Sequence, residues 1–193
     1  MSKEFFNQKA EVWDEMADHN SDKISQVVRE LPDFDNPEIL DVGSGTGVMV
    51  PFLKERYGQE ASITVIDFAE NMIQVSKRKH RDYKNITYII DDIFNYNFKQ
   101  KYDLIICYSV FPHFKDKKEI LTRLKSLLKS NGHLLIFHSQ SRQAINNMHR
   151  KAGQEVKDDN LPAAERVVEI GVEMGFSPVR TVDSDQLYVV EFK

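Results

Sequence analysis

The chain has 193 residues, 41% of them hydrophobic, and a net charge of −4 with no run of lysines or arginines. That fits one domain with a two-layered core and argues against a nucleic-acid groove or an anionic membrane surface. The charged start MSKEFFNQKAEVWDEM is unlike a signal peptide, no apolar run approaches the ~20 residues that cross a bilayer, and the single cysteine, Cys107, leaves no intrachain disulfide or cysteine-rich metal site.

A cytoplasmic, reducing setting is expected from this. Two amphipathic segments come first in the chain. Phe5, Phe6, Val12, Trp13 and Met16 mark one apolar stripe and Ile24, Val27, Val28 and Leu31 another, with Ser21 expected to cap the second helix and Pro32 to help end it. The stretch EILDVGSGTGVMV, Glu38 to Val50, then carries the most informative pattern. Ile39, Leu40 and Val42 read as a strand buried on both faces, and Gly43, Gly45 and Gly47 as a tight turn opening into a helix. Such a loop brings backbone closer to a ligand than side chains would allow, although an ordinary strand-to-helix turn could also carry these glycines.

Downstream, a helix is expected over 47–57, a strand over 62–67, a helix over 70–80 and a strand over 86–90. A strand over 102–108, a helix over 116–129 and a strand over 133–138 follow, with Asn131-Gly132 as punctuation. A helix over about 162–174, stopped by Gly175, precedes two strand-like runs split near 183–185. That ending predicts a hairpin with one strand antiparallel to an otherwise parallel sheet. Asp67 ends a strand about 20 residues past the glycines, where a carboxylate can accept two hydrogen bonds from a ribose diol.

The string DVGSGTG resembles motif I of the class I S-adenosylmethionine-dependent methyltransferases. It departs from the GxGxxG of dinucleotide enzymes in having Val48 where the third glycine would fall. FAENMI after Asp67 and the acidic end of NITYIIDDIF are similar to the family as well, so the resemblance covers roughly 38–192. It implies a Rossmann-like, doubly wound seven-stranded α/β sheet, mostly parallel with an antiparallel C-terminal hairpin strand and helices on both faces. The implied cofactor is S-adenosyl-L-methionine. Its implied contacts are Asp41, Gly43, Ser44, Gly45, Thr46 and Gly47 in the first motif, and Asp67 on the ribose. Phe68 and Met72 would flank the adenine, and Asp92 with Ile93 would read it, with the register open by one residue toward Asp91. A carbonyl of Cys107 or Tyr108 would meet the methionine amine. Met72 taken alone reads as helix core.

Residues 1–35 then form an arm or lid outside the common core, 36–193 the methyltransferase domain, and 139–161 an insert on the substrate side. Tyr108-Ser109-Val110-Phe111-Pro112 is unlike the Asn/Asp-Pro-Pro-Tyr residues that follow the fourth strand in nucleobase N-methyltransferases, and one cysteine is too few for arsenite chemistry. His113 follows the fourth strand and His138 ends the fifth, so both are expected to line the acceptor cavity as general bases. His19 and His149 could converge with them. A metal is the lesser option and none is assigned, although Asp158 or Asp159 could add a carboxylate. His80 and His133 are expected to be structural, and Arg142 and Arg150 solvated or paired with an anionic substrate group.

The expected function is methyl transfer from S-adenosylmethionine to an oxygen, sulfur or nitrogen of a small molecule, by a monomer or homodimer without nucleic-acid or membrane partners. Two readings stay open beside it. One is a nucleotide-dependent oxidoreductase on the same fold, against which the glycine spacing and terminal hairpin speak. The other is a module that binds the cofactor or a nucleoside without catalysis.

Overall fold

Apolar strands alternate with amphipathic helices along the chain, and their arrangement follows from which strands are buried on both faces. The computed structural model describes residues 3–151 and 159–193. Its strands are β1 (Glu38–Val42), β2 (Ser62–Asp67), β3 (Ile86–Ile90), β4 (Tyr102–Tyr108), β5 (Leu128–His138), β6 (Pro178–Asp183) and β7 (Tyr188–Phe192). They form one sheet in the order β3-β2-β1-β4-β5-β7-β6. Strands β1 to β5 pair in parallel, while β7 lies antiparallel to both β5 and β6. This is the mostly parallel, doubly wound sheet with the terminal hairpin that the sequence predicted.

Along β4, Ile105 and Cys107 enter one core layer while Leu104, Ile106 and Tyr108 enter the other, the two-residue period of a strand covered on both sides. One layer is closed by α3 (Ser21–Arg29), α4 (Met49–Tyr57) and Ile73 of α5 (Glu70–Lys79). The other is closed by α6 (Lys117–Leu127), by α8 (Ala164–Glu173) and by Ile145 of α7 (Arg142–Lys151). The arm before α3 is broken into α1 (Lys3–Lys9), a 3-10 turn (Ala10–Val12) and α2 (Trp13–Met16).

Several boundaries differ from the sequence reading, each for a local reason. Asn20, not Ser21, caps α3: its side chain accepts the Lys23 N–H at 3.0 Å, and Ser21 is the first helical residue. Helix α4 starts at Met49 rather than 47, because Gly45 and Gly47 hold φ of 54° and 79°, outside any right-handed helix. Helix α6 ends at Leu127, and β5 begins at Leu128, well before 133. The pairing jumps from Tyr102↔Leu128 to Leu104↔His133, so the Asn131-Gly132 punctuation lies in a bulge inside the strand. A Cβ on Gly132 would stand 2.8 Å from the Tyr102 carbonyl oxygen, which explains the glycine there.

The order reverses between β1 and β4, since the chain leaves β1 toward β2 and β3 on one side and β4 toward β5 on the other. The crevice beyond the carboxyl ends of those central strands is where an open parallel sheet receives a ligand.

Candidate functional site

Three glycines form the turn after β1, and they do not all serve the same end. Gly43 and Ser44 donate their N–H groups to the Ile66 carbonyl at 2.8 and 3.1 Å, tying the turn to β2. A Cβ on Gly43 would collide with Val110, and one on Gly47 would stand 2.8 Å from the His80 ring. Gly45 alone opens outward, its missing Cβ meeting nothing nearer than Trp13 Nε1 at 3.9 Å. Two glycines therefore serve packing, and one leaves room for a ligand against backbone.

That room is part of a cavity of about 830 Å³ beyond the strand ends, roofed by Phe5, Phe6 and Trp13 of the arm. Ser44, Gly45, Thr46, Asp67, Phe68 and Met72 line it, as do Asp92, Ile93, Tyr108, His113 and His138. Of the residues expected at the cofactor, Asp41 and Gly47 are not on its wall, and Cys107 is sealed in the sheet core. Gly43 reaches the wall despite its contact with Val110.

Asp67 is held from two sides: Oδ2 accepts the Gly45 N–H at 2.9 Å and Oδ1 the Ala69 N–H at 2.8 Å. Burial raises its pKa, and the two backbone bonds work in the opposite direction. Behind it Asp41 is 1% exposed, its Oδ2 has no partner among the described residues, and burial together with the Asp67 charge pushes it up to about 7. The loop after β3 is shaped by its own acids. Asp91 Oδ1 accepts the Asp92 N–H at 2.8 Å, and Asp92 Oδ1 accepts that of Phe94 at 2.9 Å.

The arm is fastened to this wall. Phe6 and Ala10 pack with Ala69, Met72 and Val75, Asn7 bonds both the backbone and the side chain of Asn71, and Glu11 pairs with Arg78. Asp14 accepts from the Thr46 hydroxyl and from Lys79 Nζ, joining the arm to the glycine turn. His19 Nδ1 lies 3.0 Å from the Tyr108 hydroxyl, which lies 3.0 Å from Ser139 Oγ. Burial lowers the His19 pKa, so the neutral ring is favoured in this chain of hydroxyls.

The histidines separate by environment. His113 and His138 both line the cavity, as do His19 and His149. His113 Nδ1 stands 2.6 Å from Asp159 Oδ2, and His149 Nδ1 donates to the Asp159 carbonyl at 2.9 Å. The His113 and His149 rings lie 5.1 Å apart. His138 is 1% exposed, neither ring nitrogen has a partner among the described residues, and burial, helped by the His113 and His149 charges, pushes it down to about 3. At neutral pH it is an uncharged wall group and a weak proton acceptor; His113, with a carboxylate behind it, is better equipped as a base. Among the described residues no three His, Cys, Asp or Glu side chains stand together as a metal ion would need. Asp158 lies outside the described residues.

His133 is structural, buried with Nδ1 3.0 Å from Glu191. Arg142 binds Asp183 at 2.7 Å, and Arg150 bonds Asn147. His80, on the back of the glycine turn, lies 3.3 Å from the Thr46 carbonyl, a contact the sequence reading did not foresee. Asp14 and Ser139 also went unseen, and Asp159, considered only as a metal carboxylate, pairs with the His113 ring instead. These contacts join residues 31 to 46 positions apart, and no local pattern encodes them.

The pocket suits a nucleoside with an amino-acid tail. Its volume is in the range of small-molecule sites, Gly45 gives an open backbone face, and Ser44 Oγ and His19 Nε2 are buried at the wall without partners among the described residues.

Comparison with known proteins agrees. A methyltransferase-domain family model matches residues 33–183. A malonyl-[acyl-carrier protein] O-methyltransferase of Ilyobacter polytropus is 32% identical over 130 residues, 66% of this chain and 47% of that protein. One from Priestia megaterium is 30% identical over 80% of this chain and 57% of its own length. The chain thus spans about half the length of the curated relatives it matches. Among solved structures, an S-adenosylmethionine-dependent methyltransferase from Aquifex aeolicus superposes with a TM-score of 0.73 at 18% identity, covering 95% of this chain and 97% of that one. No helix among the described residues is long and apolar enough to cross a membrane. With the motif-bearing turn, the seven-stranded order and the family match in agreement, the chain belongs to the class I S-adenosylmethionine-dependent methyltransferases.

Proposed function

We propose that this chain moves the methyl group of S-adenosylmethionine to a small molecule held beneath its N-terminal arm. The observation that carries this reading is one roofed cavity whose wall includes both the open face of Gly45 and the ring of His113. Asp67 would hold the ribose, Phe68 and Met72 the adenine faces, Asp92 and Ile93 its edge, and Ser44 with the Tyr108 carbonyl the amino-acid tail. Asp41 and Gly47 would act one layer back, through the shape of the turn. When bound, the cofactor supplies a methyl group made electrophilic by its sulfonium.

What remains for the protein is alignment, exclusion of water and, where needed, removal of one proton. Of residues 1–35, the part before α3 would supply the cover, because α3 itself closes a core layer of the sheet; 36–193 would be the transferase domain and 139–161 part of the acceptor side. His113 would be the base. His138 would shape the wall beside it.

Calorimetry with S-adenosylhomocysteine and transfer of labelled methyl from S-adenosylmethionine into a metabolite extract test this reading. Binding together with label in one small molecule is expected. Binding without transfer would make the chain a non-catalytic cofactor module, and absence of binding would overturn the reading altogether.

A further inference from the structure

We infer that the acceptor is a largely apolar molecule whose nucleophilic atom carries a proton at neutral pH, an amine or a hydroxyl and not a carboxylate, and that Asp159 positions His113 to take that proton. The inference rests on the methyl-transfer reading above and deepens it.

Asp159 is fixed where it can do this. The Asn146 side chain accepts the Leu161 N–H at 2.8 Å and donates to the Leu161 carbonyl at 3.0 Å, while His149 donates to the Asp159 carbonyl. Asn146 and His149 are both on the buried face of α7. That clamp brings Asp159 Oδ2 to 2.6 Å from His113 Nδ1, with both side chains about nine-tenths buried. Burial opposes the Asp159 charge, but the hydrogen bond from His113 and the nearby positive charges, His113 first and His149 among them, together hold the carboxyl below its ordinary range. An ionised carboxylate accepts from Nδ1–H, so Nε2 is left with its lone pair as the proton acceptor.

A base held this way serves an acceptor that has a proton to lose. A carboxylic acid is ionised at neutral pH and needs no base; it needs cations. Lys3 and Lys115 are the only lysines or arginines among the described lining residues, and carboxylates outnumber them, with Asp92, Asp116 and Glu119 among those on the wall. Such a field favours a neutral or cationic acceptor. Met16, Phe94 and Met148 line the same cavity yet remain 56%, 37% and 48% exposed, an apolar rim fit for an apolar body.

The step balances without a further reagent. The acceptor's lone pair forms the new bond to the methyl carbon, the old carbon–sulfur bonding pair stays on sulfur, and the acceptor's proton passes to His113 Nε2 and then to solvent.

The test uses the full chain with three methyl acceptors that carry the same para-butyl group: a phenol, a benzylamine and a benzoic acid. Methylation of the phenol or the benzylamine is expected, and which of them reacts assigns oxygen or nitrogen. Methylation of the benzoic acid alone, or of none, overturns the acceptor class. Asp159→Asn should lower kcat tenfold or more with KM and S-adenosylhomocysteine affinity little changed, since an amide donating to Nδ1 moves the ring proton to Nε2. Asp159→Glu should recover part of the loss. Nitrogen-15 NMR of the imidazoles gives an answer independent of turnover. His113 should carry its proton on Nδ1 in the wild type and on Nε2 in Asp159→Asn; an Nε2–H ring in the wild type, or an unchanged kcat in Asp159→Asn, removes the positioning role. Failure to bind S-adenosylhomocysteine would instead strike at the methyl-transfer reading.

Discussion

Gly47 stands with its open side against His80, and a Cβ placed there would lie 2.8 Å from the imidazole. Gly45, two residues earlier, faces the cavity, so substitution should separate the roles of the two. Either change to alanine costs about 1–2 kcal/mol for holding a side chain at left-handed φ. Gly47→Ala should cost more than this, because it also pushes on Ser76 and His80 from behind the turn. Gly45→Ala should lose little beyond the backbone term yet weaken S-adenosylhomocysteine binding, and Gly45→Val should abolish it. Urea midpoints and calorimetry on the variants check this; wild-type affinity in Gly45→Val would place the cofactor elsewhere.

Asp67→Ala should damage binding and fold together. The sequence alone suggests only a ribose ligand. The carboxylate, however, holds the Gly45 and Ala69 N–H groups, and its loss strands two donors in a site 8% exposed. About 1–3 kcal/mol per unsatisfied buried group is expected. Asp67→Asn, which keeps one acceptor oxygen, should fall between alanine and wild type in both readouts. An alanine variant with unchanged stability and unchanged affinity would contradict both roles.

Truncation of residues 1–19 tests the cover. The cut preserves Asn20, which caps α3, and removes no residue of either core layer flanking the sheet, since Phe6 and Ala10 pack in a separate cluster with Ala69, Met72 and Val75. The truncated chain should keep a cooperative unfolding transition while cofactor affinity and turnover both drop, with added solvent access to the cavity. Loss of the fold would make the arm structural, and normal turnover would end its role as a cover.

The strands and the glycine turn were legible because each is written in contiguous residues, and the alternation of strands with helices announced a mostly parallel sheet. Ile39, Leu40 and Val42 announce a strand buried on both faces, and three alternating glycines announce the turn after it. The start of β5 was not legible, because Asn131-Gly132 marks a bulge as readily as a chain reversal. The different jobs of Gly43, Gly45 and Gly47 were hidden for another reason: Val110, Trp13 and His80, which decide them, arrive from three distant elements. His113 and His138 look alike in sequence, one after each of two neighbouring strands. Burial and Asp159 make them chemically unlike, and both are properties of the folded chain.

The unlike environments of His138 and Asp41 should appear in the pH dependence of stability. His138 sits at about 3 in the fold against an ordinary 6.5. Between those values the unfolded chain binds a proton that the native one does not, so stability falls as pH drops from 6.5 toward 3, by up to about 1.4 kcal/mol per pH unit. Asp41 has the opposite sign. Raised from 3.8 to about 7 in the fold, it holds a proton there that the unfolded chain has lost, and stability falls as pH rises from 3.8 toward 7. In the wild type the two slopes oppose each other between about pH 4 and 6.5. His138→Phe should therefore become relatively more stable toward acid, and Asp41→Asn relatively more stable toward pH 7 and above, each measured as the difference from wild type in urea unfolding across pH. Difference curves flat in pH for both variants would mean that neither side chain is buried in the way that sets its charge.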